Sequence, residues 1–109
     1  MRRGDVVTLA DRTGDFTGKP RPAVIVQSDL FAPLGSVAVC PVTSIDAGPA
    51  ISRLRLEPSA ELRLKTASWV EVDKITTVRK SRIGPVLGSL TTTDLSRLNG
   101  ALAVFLGLA

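Results

Sequence analysis

The residues best placed to do chemistry in this sequence are Arg21 and the hydroxyls of Thr43 and Ser44. Arg21 stands in Gly18-Lys19-Pro20-Arg21-Pro22, directly ahead of the apolar run Ala23–Gln27. A proline on each side fixes the backbone around it. A guanidinium held on a stiff segment at a strand start can bind a phosphate through two parallel N–H donors. The same pattern also describes an ordinary surface arginine between turn prolines. Cys40-Pro41-Val42-Thr43-Ser44 places two hydroxyls at the end of a second apolar run. Hydroxyls there commonly cap a turn, and they can also hydrogen-bond a phosphate or a ribose.

The absences narrow the chemistry further. The chain has no histidine and one cysteine, Cys40. A zinc site of the Cys/His type, a Ser-His-Asp or Cys-His pair, and acid–base catalysis by imidazole are therefore excluded. So is an intramolecular disulfide. Neither G-x-x-x-x-G-K-[ST] nor G-x-G-x-x-G occurs. Chemistry must come from Arg, Lys, Asp, Glu, Thr, Ser or backbone, and no metal or cofactor is expected. Cys40 sits in an apolar run and reads as a buried small hydrophobe.

The elements that must position these groups belong to one domain, residues 1–109. Hydrophobic residues make up 44% and charged residues 22%, which argues against wholesale disorder. The net charge is +4. The longest apolar stretch, Ala101–Ala109 with Gly107 counted, is short of the roughly 20 residues of a membrane span. No signal peptide is read at Met1-Arg2-Arg3-Gly4-Asp5, and a cytoplasmic protein is expected.

The first half reads as strands. Asp5–Ala10 is short and β-branched, Asp11–Pro20 is a loop, and Pro22–Gln27 has the continuous apolar character of a strand buried on both faces. Asp29–Gly35 connects to Ser36–Val42, where Pro41 predicts that the strand ends or lies at an edge. Ile51–Leu56 alternates apolar and basic residues, a strand with a basic outer face. Pro58–Leu64 suits a helical turn. Ser68–Asp73 alternates Trp69, Glu71 and Asp73 against Val70 and Val72, and Ile75–Val78 continues it after a bend. Arg79–Arg82 reads as a basic turn and Ile83–Leu90 as irregular, because of Gly84, Pro85 and Gly88. Thr91–Asp94 supplies helix N-cap candidates, and Leu95, Leu98, Leu102, Phe105 and Leu106 recur at helical spacing. Ala101, Val104 and Leu108 widen that apolar arc beyond one core contact. Either a second copy of the chain covers it or the helix is sunk in its own core. The fold expected is mainly β with α: a small, strongly twisted antiparallel sheet or partial barrel carrying a C-terminal helix. No βαβ alternation appears.

The order of segments is recognisable. It runs Arg3-Gly4-Asp5-Val6-Val7, then Gly18–Gln27 with its R-P, then Val39–Ser44 with its V-T-S, then Ser68–Val78 followed by Lys80 and Arg82. Over nearly the whole chain this resembles the MazF/PemK family of toxin endoribonucleases from bacterial toxin–antitoxin pairs. The resemblance implies a small barrel-like sheet with a C-terminal helix (MazF/CcdB-like, SH3-like) working as a homodimer. It also implies metal-independent cleavage of single-stranded RNA, with the 2′-hydroxyl attacking phosphorus to leave a 2′,3′-cyclic phosphate and a 5′-hydroxyl. Arg21 and Thr43 fall on the family's catalytic pair, and Asp73 on an acid that contributes in some members. The loop Asp11–Pro20 falls on the segment that gates or contacts RNA. A small acidic antitoxin protein occupying the RNA groove is implied as partner, without any membrane.

Lys19, Ser44, Arg53, Arg55, Trp69 and Lys80 are the candidate RNA contacts. Arg53, Arg55 and Arg63 form either a basic track for RNA or a solvated face, and Trp69 either stacks on a base or packs in a core or dimer contact. The chain departs from many relatives in having Thr76 where they carry Arg and the basic Arg79 near where they carry an acid, and from some in having no histidine in the first loop. The alternative is a gyrase poison related to CcdB, which shares the fold without nuclease activity. Such toxins lack the R-P and V-T pairing, and they end in Trp-Gly-Ile where this chain ends Gly107-Leu108-Ala109. A catalytically silent RNA-binding relative is a third reading.

Overall fold

The computed structural model describes residues 1–10, 21–45 and 52–109. The loop Asp11–Pro20 with Lys19, the break at 46–49 and Ile51 lie outside the described residues. The strands are β1 (Asp5–Leu9), β2 (Arg21–Ile25), β3 (Ser36–Thr43), β4 (Arg53–Leu56), β5 (Ser68–Glu71), β6 (Thr76–Arg79) and β7 (Ile83–Ser89), followed by one helix, α1 (Thr92–Phe105). All pairings are antiparallel, in the order β4-β5-β3-β2-β1-β7, with β6 also on β3. The mainly antiparallel sheet with one C-terminal helix is the fold expected from the sequence. No helix among the described residues is long and apolar enough to cross a membrane.

Both faces of the sheet are apolar over part of their area. One face carries Val6, Val24, Cys40, Val42, Leu54, Leu56, Val70 and Val72, closed by Leu98 and Leu102 of α1. The other carries a smaller cluster of Val7, Ala23, Ile25, Val37, Val39 and Val78. Ala23, Val24 and Ile25 are nearly inaccessible, so β2 is indeed buried on both sides. Thr91 caps α1, its Oγ1 accepting the Asp94 N–H at 3.1 Å. Burying a leucine as fully as Leu98 is stabilises by about 1.5–3 kcal/mol.

Four local expectations are corrected. Strand β3 neither ends at Pro41 nor lies at an edge. It runs on to Thr43 between β2 and two successive neighbours, β6 along Ser36–Val39 and β5 at Val42 and Thr43. Pro41 falls where the neighbour changes, so its missing N–H is not needed on that side. Strand β5 stops at Glu71, and Val72–Lys74 forms a 3-10 turn that packs on β3. Pro58–Leu64 is not helical: a bridge from Ser59 to Leu64 closes a tight turn in which Arg63 takes φ 54°. Ile83–Ser89 is a strand rather than irregular chain. Its pairing with β1 shifts register twice, which accommodates Pro85 and Gly88 at the end of the sheet order. Gly88 is required there, since a Cβ would stand 2.3 Å from the Glu61 carbonyl oxygen.

Candidate functional site

Opposed residues of an antiparallel pair project from the same face. Arg21 opposes Leu9 of β1. The β2–β3 pairing ends at Ala23 and Pro41, and Arg21 and Thr43 lie two residues beyond it on the two strands, on the same face as Ala23 and Pro41. Thr43 opposes Trp69, and Trp69 opposes Arg55. Arg21, Thr43, Trp69 and Arg55 therefore form a row across four strands, on the face of the smaller apolar cluster.

Arg21 is exposed and has no ion pair or hydrogen bond among the described residues. Its position follows from local sequence: Pro22 starts the strand and the alternation through Ala23 and Ile25 fixes its face. Thr43 Oγ1 accepts the Ile45 N–H at 3.1 Å, which leaves its own O–H proton available to an acceptor. The hydroxyl thus caps the turn without being used up by it. Ser44 is exposed beside it. Trp69 is half-buried, yet among the described residues it is absent from the side chains that pack against either apolar cluster. Arg55 is exposed, and its Nε stands 3.6 Å from the carboxylate of a still more exposed Glu57.

The next row back is of a different kind. Arg53 opposes Glu71, and its Nη1 lies 2.8 Å from Glu71 Oε2. Its Nε stands 2.9 Å from Asp73 Oδ1, a close ion contact that is not aligned as a hydrogen bond, while Nη2 donates to Oδ2 at 3.5 Å. Lys74 Nζ approaches Glu71 Oε2 at 3.1 Å. The side chains of Arg53 and Glu71 are 12% and 10% exposed, against 31% for Asp73. Arg53, expected as part of a basic outer face, is thus folded under and neutralised. Glu71, which sequence reasoning passed over, is its cross-strand partner. The alternation Trp69-x-Glu71 opposite Arg55-x-Arg53 was the available signal, but only the register reveals it.

Lys80 is not brought to this row. It follows Arg79, which pairs with Ser36 at the far end of β3 from Thr43, roughly 23 Å away at ~3.3 Å per residue. Its Nζ donates to the Ala32 carbonyl. Arg63 lies in the Ser59–Leu64 turn. Asp5 of the R-G-D motif is structural. Its carboxylate accepts from the Arg2 N–H at 2.7 Å and from Ser89 Oγ at 2.6 Å, and Gly4 ahead of it takes φ 90°. Cys40 is buried, and desolvation, with the Asp73 charge adding to it, pushes its thiol up to about 12. It is inert at neutral pH.

The profile of PemK-like, MazF-like toxins of type II toxin–antitoxin systems matches residues 2–106. The chain belongs to this family. A probable endoribonuclease MazF of Mycolicibacterium smegmatis is 46% identical over 109 residues, covering 100% of this chain and 99% of that one. An endoribonuclease in complex with its cognate antitoxin from a mycobacterial species superposes with a TM-score of 0.80 at 25% identity, covering 100% and 97% of the two chains. A MazE–MazF complex from Deinococcus radiodurans gives 0.74 at 25%, over 100% and 97%. This MazF-like toxin thus falls among the toxin endoribonucleases, and the matching structures include toxins held by their antitoxins.

Proposed function

We propose that this MazF-like toxin cleaves single-stranded RNA without a metal, and that the row Arg21–Thr43–Trp69–Arg55 is its RNA-binding face. The observation that carries the reading is Arg21, exposed and unpartnered among the described residues, on the same face of the sheet as Thr43 of the neighbouring strand. The 2′-hydroxyl attacks the adjacent phosphorus, the bond to the 5′-oxygen breaks, and a 2′,3′-cyclic phosphate and a 5′-hydroxyl result. Negative charge collects on the non-bridging oxygens, where a preorganised guanidinium is worth several kcal/mol. Arg21 supplies that charge and a proton for the leaving oxygen. The Thr43 hydroxyl donates to a phosphate oxygen and fixes the phosphate. Asp73 is the more accessible of the two carboxylates held by Arg53, and it takes the proton from the 2′-hydroxyl. The MazF names of the relatives favour this reading over a gyrase poison.

The toxin works in the cytoplasm as a homodimer and is silenced by a small acidic antitoxin that folds across the basic row. In the single chain Val104 and Leu108 are 49% and 78% exposed, so α1 is not sunk in its own core at its C-terminal end. We read this apolar end as the dimer contact. Val104→Asp should then give monomer or aggregate in light scattering where the wild type is a dimer. The direct test of the nuclease is to incubate the pure protein with a long RNA in EDTA and map 5′ ends. Cleavage at defined sites by wild type and not by Arg21→Ala is expected. Equal cleavage by both would remove Arg21 from the mechanism.

A further inference from the structure

We infer that bound RNA crosses the sheet along the row from Arg21 to Arg55, perpendicular to the strands, with Trp69 as the platform on which the base next to the scissile phosphate stacks. The inference rests on the reading of Arg21 and Thr43 as the phosphate site. Trp69 is the chain's only tryptophan and its largest side chain, and an aromatic ring of this size normally dominates a core. Here it is half-buried and, among the described residues, belongs to neither apolar cluster, while its neighbour Val70 is fully buried in the larger one. Its fellow members of the row are polar: Thr43 on one side and Arg55 on the other.

Spacing and charge fit a strand of nucleotides better than an apolar partner. Opposed residues lie ~5 Å apart, so Trp69 stands between Thr43 and Arg55 at about that distance from each, with Arg21 on the strand beyond Thr43. An available cation, a hydroxyl, an aromatic face and a second cation then follow one another in line. That is the alternation of phosphate and base that single-stranded RNA presents, with stacking tolerant of sequence and arginines tracking the backbone. The link from Arg55 to Glu57 is long and exposed, so Arg55 can exchange it for a phosphate. Most large exposed apolar side chains lie on other elements, at Val104–Leu108 and at Leu30, Phe31 and Leu34, and Ile45, whose N–H donates to the Thr43 hydroxyl, is the one exposed beside the row among the described residues.

Because the chain has one tryptophan and no tyrosine, its fluorescence reports on Trp69 alone. The probe is 2′-fluoro RNA, which lacks the attacking hydroxyl and stays intact, compared with an abasic oligomer of the same length. Quenching by the 2′-fluoro RNA and not by the abasic strand is expected. Removing the platform should lower kcat/KM about 5- to 150-fold in Trp69→Ala, the range for losing one base–aromatic stack, and Trp69→Phe should restore most of it. Equal quenching by the abasic strand overturns the inference, as does a Trp69→Ala variant that melts like wild type and keeps its kcat/KM. The quenching is read on wild type, so it does not depend on any variant folding. Base-dependent quenching by a protein that cleaves nothing would sink the ribonuclease reading and leave the platform. Cleavage with base-independent quenching would do the reverse.

Discussion

Arg21 and Arg53 project from the same face of one sheet, and their surroundings could hardly differ more. Arg21 heads β2 with its guanidinium exposed and unpartnered among the described residues. Arg53 is nearly covered and holds Glu71 and Asp73 at 2.8 and 2.9 Å. A free guanidinium can meet a phosphate at once. A guanidinium already neutralised by two carboxylates has nothing left for an incoming anion, and it serves to fix the Val72–Lys74 turn and to orient Asp73. Net charge alone therefore misjudges such a face. What matters is which cations remain uncommitted.

The largest effect that separates the two is on activity. Arg21→Ala should lower cleavage by about 100-fold or more, the range for removing one donor to a developing oxyanion, with no change in thermal midpoint. A parallel loss of stability would show that Arg21 is structural after all. Arg53 should behave in the opposite way. Arg53→Met leaves Asp73 without its cation and Glu71 with Lys74 alone, which should destabilise the fold by about 3 kcal/mol in urea titrations, the lower end of the range for breaking a buried ion pair. Adding Asp73→Asn should return part of that loss, because the carboxylate left without a cation is then neutral.

A smaller effect sharpens the contrast between the two sides of β3. Thr43 faces the open row, whereas Cys40 lies in the helix-covered core. Burial raises the Cys40 thiol from 9.0 to about 12. The unfolded chain loses this proton first as pH rises. The stabilisation is complete below pH 9, falls as the pH climbs from there, and has gone once the pH passes the folded value near 12. Urea midpoints at pH 8 and pH 10.5 should fall more for wild type than for Cys40→Ala. The smallest effect belongs to the exposed pair. Glu57→Gln should change stability by less than ~0.5 kcal/mol, since Arg55 and Glu57 are 55% and 74% exposed.

Much of this architecture was legible in the residues. The periodicity of Leu95, Leu98 and Leu102 behind Thr91 gave α1, and the apolar run after Pro22 gave β2. The readings that failed were those where a non-local partner decides. Pro41 is compatible with an interior strand only because β6 gives way to β5 beside it. Pro85 and Gly88 suit a strand only because β7 lies at the end of the sheet order with shifted register. In the candidate site, Arg21 and Thr43 came from motif and position. That Trp69 stands next to Thr43 followed only from the β3–β5 pairing.

By itself the sequence determined the order of β1 to β6 and of α1, though not β7, the face each side chain takes within its own strand, and the family to which the order of motifs belongs. These depend on contacts between near neighbours: alternation, proline restriction and a helix cap. The tertiary structure decided which of two similar arginines is available. Arg53 meets Asp73 across 20 residues of chain, and that meeting depends on the β4–β5 register and on the turn that ends β5. Arg53 and Arg55 sit two apart in the same alternating pattern, so nothing local marks one as tied and the other as free. The difference is the presence of a carboxylate opposite one and an indole opposite the other, which only strand pairing supplies.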